Sequence, residues 1–255
     1  MTWDGARRAA GPPAGQDAAV ALRPRLDAGG LVVELGAPLR CLSSALLGGG
    51  LGWLRTWLNL QVAPDYARTD PEAHLASVAA GLPGPVVGMM TAAPVAAYRV
   101  ASAAGTTALA TVGVGHALAA AATRPRPAPA ASAGRAATSD RDGRGSGPGT
   151  VAGTINLLVV VDQPLTDAGL AGALQTAVEA KAQALAAAQV PAANAGGFAT
   201  GTATDALCVA CPPGSTVPFA GPATRVGGDL ARAVFEAVLA GALAGRLGPR
   251  RPAAG

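Results

Sequence analysis

The side chains of this sequence best suited to chemistry fall in one short stretch, ATGTATDALCVACP, which runs from Ala199 to Pro212. Alternate threonines, among them Thr202 and Thr204, lead to the carboxylate of Asp205, and an apolar run follows. Hydroxyls and a carboxylate at this spacing are typical of a polar turn before a buried strand, where they bond to nearby backbone groups. The same groups could instead line the edge of a reaction site and meet a substrate. Taken alone, the stretch slightly favours the turn.

Five further polar residues stand at positions where a ligand could reach them. Asn59 lies in a strand-like run, Thr91 follows the apolar run VVGMM, and Asp162 ends the run GTINLLVVVD. The carboxyl end of a central strand is the usual ligand site of an α/β sheet, which makes Asp162 a candidate for binding. Glu179 and Lys181 lie in a helical segment rich in Ala and Leu. Each of the five also has a structural interpretation, as a turn residue or as part of a solvated helix face.

The cysteines and histidines do not form a convincing metal site. Cys208 and Cys211 make one C-x-x-C pair, without the second pair or the paired histidines that would complete a zinc site. The two histidines, His74 and His116, are far apart in the sequence. A redox motif is also disfavoured, because thioredoxin-like cysteine pairs begin a helix and here Pro212 follows the second cysteine. We expect no protein-bound metal or cofactor, and we expect the thiols to be small buried packing residues.

The glycine clusters do not complete a nucleotide-binding motif. Neither LLGGGLGW nor TVGVGHAL contains G-x-G-x-x-G, and the sequence has no G-x-x-x-x-G-K-[ST]. Glycines at these positions are better explained by tight turns or by close approach of the backbone to a bulky ligand. Dinucleotide and ATP binding are therefore disfavoured.

Composition and charge exclude several further classes of function. Half of the 255 residues are apolar and only 3% are aromatic, so Val, Leu and Ala must fill a core that suits an α/β protein. The net charge of +4 comes from arginines near the termini and in a Pro-rich segment, which argues against nucleic-acid binding. No apolar run reaches the roughly 18 residues of a membrane span. Three cysteines and a start without an apolar signal region favour a cytoplasmic location.

Short β-prone runs and well-signalled helices alternate in the first half of the chain. The runs at 31–35 and 40–47, separated by GAP, predict a hairpin. The run WLRTWLNLQV is ambiguous between helix and strand, and residues 56–62 favour a strand. Asp70 as N-cap, with proline next and glycine near the stop, predicts a helix over 70–81. The runs PVVGMMTA and TTALATVGVG predict two more strands.

The second half of the chain repeats this alternation more clearly. The continuous apolar run from Gly153 to Asp162 predicts a central strand that is covered on both faces. A long helix follows with Thr166 as N-cap, then the strand DALCVAC, then the helix TRVGGDLARAVFEAVLAGAL with apolar residues at three-and-four spacing. Strands and helices interleaved in this way predict an α/β fold, a mixed β-sheet with packed helices.

One segment interrupts this predicted domain. Residues 122–149 are rich in Pro, Gly, Ser and Arg and cannot bury enough apolar surface to offset the entropy of ordering. We expect a disordered insertion there, between two flanks, 28–121 and 150–246, that pair in one sheet and form a single domain. Residues 1–27 are predicted to be a flexible basic tail, and residues 247–255 a second flexible tail.

Six blocks of the sequence recur in a known order. They are RCLSSALLGGGLG, WLNLQV, VGMMTAA, YRV with VGVG, GTINLLVVVDQPLTDAGLAGALQTAVEAKAQAL and ATGTATDALCVA, and they lie between about Val32 and Leu243. In this order they resemble the adenosylcobinamide amidohydrolases, a family of corrinoid-salvage enzymes. Two positions depart from the family pattern. His116 stands where asparagine is common, and Val178 to Lys181 replaces a common TEAK tetrad while keeping its Glu and Lys.

The resemblance implies hydrolysis of the amide that joins a corrin side chain to aminopropanol in adenosylcobinamide, which gives adenosylcobyric acid for cobalamin synthesis. Cobalt would then arrive within the substrate, in agreement with the absence of a protein metal motif. A wide, flat corrinoid carries many amides, which suits a site edged by small and polar residues. The substrate-binding candidates are Ser43, Ser44, Asn59, Thr91, Asp162 and His116.

The mechanism expected from the residues is hydrolysis by water. Amide hydrolysis needs a nucleophile, stabilisation of the tetrahedral oxyanion and a proton for the leaving amine. We expect Asp205 or Glu179 to be the general base. Thr202 and Thr204, with backbone N–H groups, would stabilise the oxyanion, and Lys181 would be an electrostatic partner.

Two alternatives stay open. Thr154 follows a glycine at the start of the central strand, as in self-cleaving amidases whose new N-terminal threonine attacks the amide. A corrinoid carrier without catalysis would use the same Gly, Thr and Asn chemistry. The partners expected in either case are a corrinoid and possible copies of the same chain in a homo-oligomer, with neither nucleic acid nor membrane.

Overall fold

The long apolar run in the second half of the chain forms a buried strand in the computed structural model. The structure describes residues 21–27, 29–122 and 153–247. All seven residues of this strand, Ile155–Val161, are buried. An apolar run without alternation is satisfied only between two covered surfaces, so the prediction of a central strand is confirmed.

The described chain forms a mixed sheet with helices packed on it, which confirms the predicted α/β class. In chain order the elements are β1 (Pro24–Asp27), β2 (Gly30–Ser43), β3 (Gly50–Gln61), α1 (Pro71–Ala79), β4 (Val86–Thr91), β5 (Arg99–Ala103), β6 (Thr106–Val112), β7 (Ala117–Leu118), β8 (Ile155–Val161), α2 (Asp167–Ala187), β9 (Gly201–Thr202), β10 (Ala206–Cys211) and α3 (Arg225–Leu247). The main sheet has the order β4-β3-β2-β10-β8-β6-β5, β1 pairs with β2, and β7 and β9 form a small second sheet. Strand β8 runs parallel to β10, and β3 runs parallel to β4.

The predicted hairpin over 31–35 and 40–47 is wrong. Strand β2 is continuous through this region and pairs with β3 on both sides of a register shift between Glu34 and Leu39. The GAP segment is therefore an irregularity within one long strand, since Gly and Pro mark bulges as well as turns. The chain reverses later, through the glycine run that precedes β3.

The helices begin where the sequence predicts. Helix α2 starts after Thr166, whose side chain accepts a hydrogen bond from the N–H of Gly169 at 3.0 Å. Helix α1 starts at Pro71, but the carboxylate of Asp70 accepts from Arg68 and makes no side-chain cap bond. That bond lowers the pKa of Asp70. Within the described residues, no helix is long and apolar enough to cross a membrane.

The two faces of the sheet bury different residues. Leu157 and Val159 of β8 belong to the core formed with α2 and α3, whereas Leu158 points to the other face. That second face buries Trp57 and Met89, from β3 and β4 at the far side of the sheet, together with the β8 residues. Because these strands are several positions apart in the sheet order, their shared core indicates that the sheet curls around its second face.

The described ends of the domain extend past the predicted boundaries. Residues 24–27, which were predicted to belong to the flexible tail 1–27, form β1 and pair with β2. Helix α3 ends at Leu247, the first residue of the predicted tail 247–255. The predicted disordered insertion 122–149 lies, apart from its first residue, outside the described residues. Strand β6 before it and β8 after it pair directly with each other, so both flanks contribute to one sheet, as predicted.

Candidate functional site

A buried ion pair between Lys181 and Asp205 lies at the amino ends of β8 and β10. Lys181 is on the inward face of α2, where only 7% of its side chain is exposed, and 9% of the Asp205 side chain is exposed. Lys181 Nζ donates to Asp205 Oδ2. Charges taken out of water are costly unless they are paired and hydrogen-bonded, so a pair buried to this degree is an unusual feature of the core.

The carboxylate of Asp205 accepts four hydrogen bonds. Its Oδ1 accepts from the main-chain N–H of Ile155 at 2.9 Å and from the hydroxyl of Thr202. Its Oδ2 accepts from Lys181 and from the main-chain N–H of Thr202 at 3.1 Å. A carboxylate has about four lone-pair sites, so every acceptor site of Asp205 is occupied in this state. The aspartate therefore fastens β8, β9 and α2 together.

Glycine at position 201 makes this packing possible. A Cβ atom on Gly201 would lie 2.6 Å from Asp205 Oδ2 and 2.8 Å from Lys181 Nζ. Real Cβ atoms do not approach other atoms so closely, so any other residue would push the ion pair apart. Gly201 starts β9, which pairs with β7.

Further hydroxyl groups lie near the start of β10, which Asp205 directly precedes. The Thr154 hydroxyl lies 2.8 Å from the Thr204 hydroxyl. Ser44 Oγ accepts from the main-chain N–H of Leu207 at 3.0 Å, and Ser43 Oγ donates to the main-chain oxygen of the same residue at 2.9 Å. The segments that contain Ser43 and Ser44, Thr154, and Thr204 therefore all meet at the start of β10.

A cavity of about 350 Å³ opens beside these groups. Met89 and Met90 of β4 form one wall, which we call the β4 wall, and Thr204, Asp205 and Ala206 form a second, the β10 wall. Ser44 and Leu46 complete the lining. The cavity therefore combines thioether and aliphatic surface with hydroxyls and a carboxylate, a mixture suited to a ligand that is apolar over most of its surface and polar at a few points.

An amide network that the sequence did not suggest lies behind the cavity. Asn156 Nδ2 donates to Asn59 Oδ1 at 2.8 Å, and Asn59 Nδ2 donates to Thr111 Oγ1 at 2.8 Å. All three side chains are buried. Asn59 was predicted to bind substrate, but its side chain lies inside the core. The signal for Asn156 was available, because it is the one polar residue in the run INLLVVV.

The remaining predicted residues lie away from the cavity lining. Glu179 is exposed on the outer face of α2 and accepts from Gln175 at 2.9 Å, so it does not join Lys181. Asp162 lies at the opposite end of β8, where it accepts from Gln163 at 3.2 Å. His116 is exposed in a turn before β7.

The threonine at the end of β4 is close to the cavity in sequence but is used internally. Thr91 is 2% exposed, and its Oγ1 accepts from the main-chain N–H of Ala93 at 3.0 Å. It follows Met90 directly and is the last residue of β4. Its predicted contact with substrate stays a prediction.

The thiols lie in the core. Cys41, Cys208 and Cys211 are free and buried. A hydrogen bond with Cys41, followed by burial, raises the pKa of Cys208, and burial raises the pKa of Cys211. Both therefore stay protonated near neutral pH, which agrees with a packing role. Among the described residues, no three His, Cys, Asp or Glu side chains come together as metal ligands would.

Comparison with known proteins identifies one family. The model of a family described as adenosylcobinamide amidohydrolase matches residues 19–246. A curated protein of Halobacterium salinarum, also named adenosylcobinamide amidohydrolase, is 43% identical over 89 residues. That alignment covers 34% of this chain and 35% of the relative, so the similarity spans about a third of the relative's length. The family match includes both walls of the cavity and both members of the ion pair.

Proposed function

Because this chain belongs to the adenosylcobinamide amidohydrolase family, we propose that it hydrolyses the amide between a corrin side chain and aminopropanol in adenosylcobinamide. The products are adenosylcobyric acid and aminopropanol, and the reaction serves cobalamin salvage. The observation that carries the proposal is the mixed cavity beside the buried Lys181–Asp205 pair, inside the matched residues. Cobalt enters as part of the substrate, and the proposal assigns the protein no cofactor of its own.

The size of the cavity limits how the substrate would bind. At about 350 Å³ it is near the lower end of the range for small-molecule pockets, about 300–1,000 Å³. A corrinoid is larger than an ordinary small-molecule ligand, so only its amide-bearing arm would enter. The macrocycle would stay at the rim, where Leu46 is 46% exposed. This mode of binding suits a reaction that changes the arm and leaves the ring intact.

Asp205 is the carboxylate at the cavity, and we propose it as the base for the attacking water. Three of its four donors are two main-chain N–H groups and Lys181, which are fixed. The fourth, the hydroxyl of Thr202, is the donor that can rotate away. Water would then attack the carbonyl carbon and give its proton to Asp205, which passes it to the amine as the C–N bond breaks.

The other polar groups have supporting roles in this proposal. Thr204 and Ser44 offer hydroxyl donors in the cavity for the oxyanion, and Lys181 places positive charge close by. Thr154 contacts the Thr204 hydroxyl and is kept as an alternative nucleophile. Mass spectrometry of the purified protein tests that alternative, since an intact chain excludes cleavage before Thr154.

A carrier function is the second candidate, and one observation favours it. All acceptor sites of Asp205 are occupied, as expected for an aspartate that only holds elements together. Incubation with adenosylcobinamide, with chromatographic measurement of free aminopropanol, separates the two functions. Release supports the hydrolase. Retention of the corrinoid through gel filtration without release supports the carrier and rejects the hydrolase.

A further inference from the structure

One buried side chain joins the two walls of the cavity. Asn156, the second residue of β8, is 0% exposed. Its Nδ2 donates to the main-chain oxygen of Met90 at 2.9 Å, in the β4 wall. Its Oδ1 accepts from the main-chain N–H of Ala206 at 3.2 Å, in the β10 wall. A single amide therefore bonds to both sides of the cavity.

The bond to the β4 wall joins two strands, β4 and β8, that are not neighbours in the hydrogen-bond ladder of the sheet. Strands β3, β2 and β10 separate β4 from β8 in the order of the sheet. In a flat sheet, four steps of about 4.8 Å would place these strands roughly 19 Å apart. Curling brings the end of β4 to the start of β8, and Asn156 bonds across the remaining distance. This contact therefore connects the walls directly, in addition to the backbone ladder.

Asn156 cannot itself meet the substrate. Its side chain is fully buried and does not line the cavity, and its two amide hydrogens are used by Met90 and Asn59. Asn59 in turn donates to the buried hydroxyl of Thr111. Any effect of Asn156 on a reaction must therefore act through the walls.

We propose that Asn156 is a positioning residue that sets the separation of the β4 and β10 walls, and so fixes the reacting amide against Asp205 and Thr204. The effect on turnover rests on the proposed hydrolase function. Misplacement of reacting groups by about 1 Å can reduce turnover by about 100-fold. Loss of the Asn156 bonds frees both walls, so we expect a loss of turnover of about 10- to 100-fold.

The test compares two variants of the same network. Asn156→Ala removes the bonds to both walls. Thr111→Val is the matched control, because it removes a buried hydrogen bond from Asn59 without touching either wall. Asn156→Ser is the reserve variant if the alanine variant does not fold. Serine keeps one polar group, but its side chain is too short to bond to both walls.

Hydrogen exchange measured by mass spectrometry reports the mobility of the β4 and β10 walls independently of activity. In Asn156→Ala, peptides that contain Met90 and Ala206 should exchange faster than in the wild type. In Thr111→Val they should keep wild-type exchange. In steady-state aminopropanol release, kcat of the alanine or serine variant should fall about 10- to 100-fold. The control should stay within about threefold, at a comparable loss of thermal stability.

The outcomes separate the two proposals. Equal acceleration of wall exchange in Asn156→Ala and Thr111→Val, or none in either, overturns the positioning role. Faster wall exchange with unchanged kcat also overturns it, because the walls would then not place the amide. A wild-type protein that releases no aminopropanol rejects the hydrolase function instead. The role of Asn156 in setting the walls is then still decided by exchange.

Discussion

The main-chain groups at the two ends of the parallel pair β8 and β10 are satisfied by opposite kinds of side chain, acceptors at one end and a donor at the other. At the amino end, main-chain N–H groups need acceptors, and side chains supply them. Asp205 accepts from Ile155, Asn156 accepts from Ala206, and Ser44 accepts from Leu207. Main-chain donors at the edge of a sheet must find partners when they are buried. Two of these acceptors, Asp205 and Ser44, also line the cavity.

At the carboxyl end the unpaired groups are carbonyls, and a donor side chain satisfies them. Arg40, opposite Cys211 in the register, donates to the main-chain oxygens of Leu165 and Gly214 and pairs with Asp167. Here 66% of the Asp167 side chain is exposed. At the carboxyl end most of the Asp167 side chain is exposed, whereas in the amino-end pair less than a tenth of either side chain is exposed.

This difference bears on where the candidate site lies in the sheet. Sheets of parallel strands usually bind ligands at their carboxyl ends, which made Asp162 a reasonable candidate. In this mixed sheet the carboxyl end of β8 is occupied by the turn into α2, which Arg40 fastens. The buried carboxylate, the hydroxyls and the cavity are all at the amino end.

The largest difference in stability between the two ends is expected when one carboxylate is removed from each ion pair. Asp205→Asn leaves the Lys181 ammonium buried without its counter-charge, and we expect a loss of about 3–5 kcal/mol of unfolding free energy. Asp167→Asn, the matched control, disturbs an exposed pair and should cost less than about 1 kcal/mol. Urea denaturation of both variants at pH 7 measures the two losses.

The same pair of variants tests the proposed function. We expect Asp205→Asn to abolish aminopropanol release while retaining corrinoid binding, and Asp167→Asn to keep wild-type release. Near-normal turnover by Asp205→Asn would remove Asp205 as the base. Equal stability losses in the two variants would contradict the distinction between a buried and an exposed end.

A smaller loss of stability is expected from adding a methyl group to the glycine that packs against an aspartate at each end, Gly201 or Gly105. A Cβ on Gly201 meets Asp205, which four donors hold in place. A Cβ on Gly105 meets the carboxylate of Asp162, whose side chain accepts one hydrogen bond from the described residues, that of Gln163, and can rotate away. We therefore expect Gly201→Ala to cost about 1–3 kcal/mol, the usual range for overpacking.

The companion variant Gly105→Ala should cost less than Gly201→Ala, and thermal unfolding of both variants measures the difference. Gly172→Ala is a control for the substitution itself. It lies in α2 with its nearest neighbour 3.7 Å from the added Cβ, and alanine favours helix over glycine. A larger loss for Gly105→Ala than for Gly201→Ala would mean that Asp162 is held as rigidly as Asp205.

Local signals predicted the central elements of the fold. The run from Gly153 to Asp162 identified β8, because continuous burial needs continuous apolar sequence. Thr166 identified the start of α2, because a threonine before a helix can cap it. The error at 31–35 and 40–47 arose because Gly and Pro produce both turns and bulges, and only pairing with β3 distinguishes the two.

The site was less predictable because it depends on long-range contacts. Asp205 was identified from its neighbours, but its bond to Lys181 joins residues that no local pattern links. Helix geometry did contain one unused signal. Residues two apart on a helix are about 200° apart around its axis, so Glu179 and Lys181 could not face the same side. The curl that brings Met90 to Asn156 is a property of the whole sheet, and no short segment encodes it.

The smallest expected effect concerns pH at the carboxyl end. Burial raises the pKa of Cys211, so the folded state keeps its thiol proton at pH values where the unfolded chain, with a cysteine pKa near 8.5, releases it. The unfolded state then binds fewer protons than the folded state, and stability falls as pH rises above about 8.5. One such group contributes a slope of at most about 1.4 kcal/mol per pH unit.

Cys211→Ala should remove this part of the slope between about pH 8 and pH 10, whatever it costs at pH 7, because the cavity it leaves does not titrate. Urea denaturation of the wild type and the variant across this range measures the difference in slope. Parallel stability curves would mean that the thiolate is tolerated beside Arg40 as well as in water. Burial would then not disfavour a charged side chain at the carboxyl end of the pair. Of the two ends, only the amino end, at Asp205, would bury a charge at a cost.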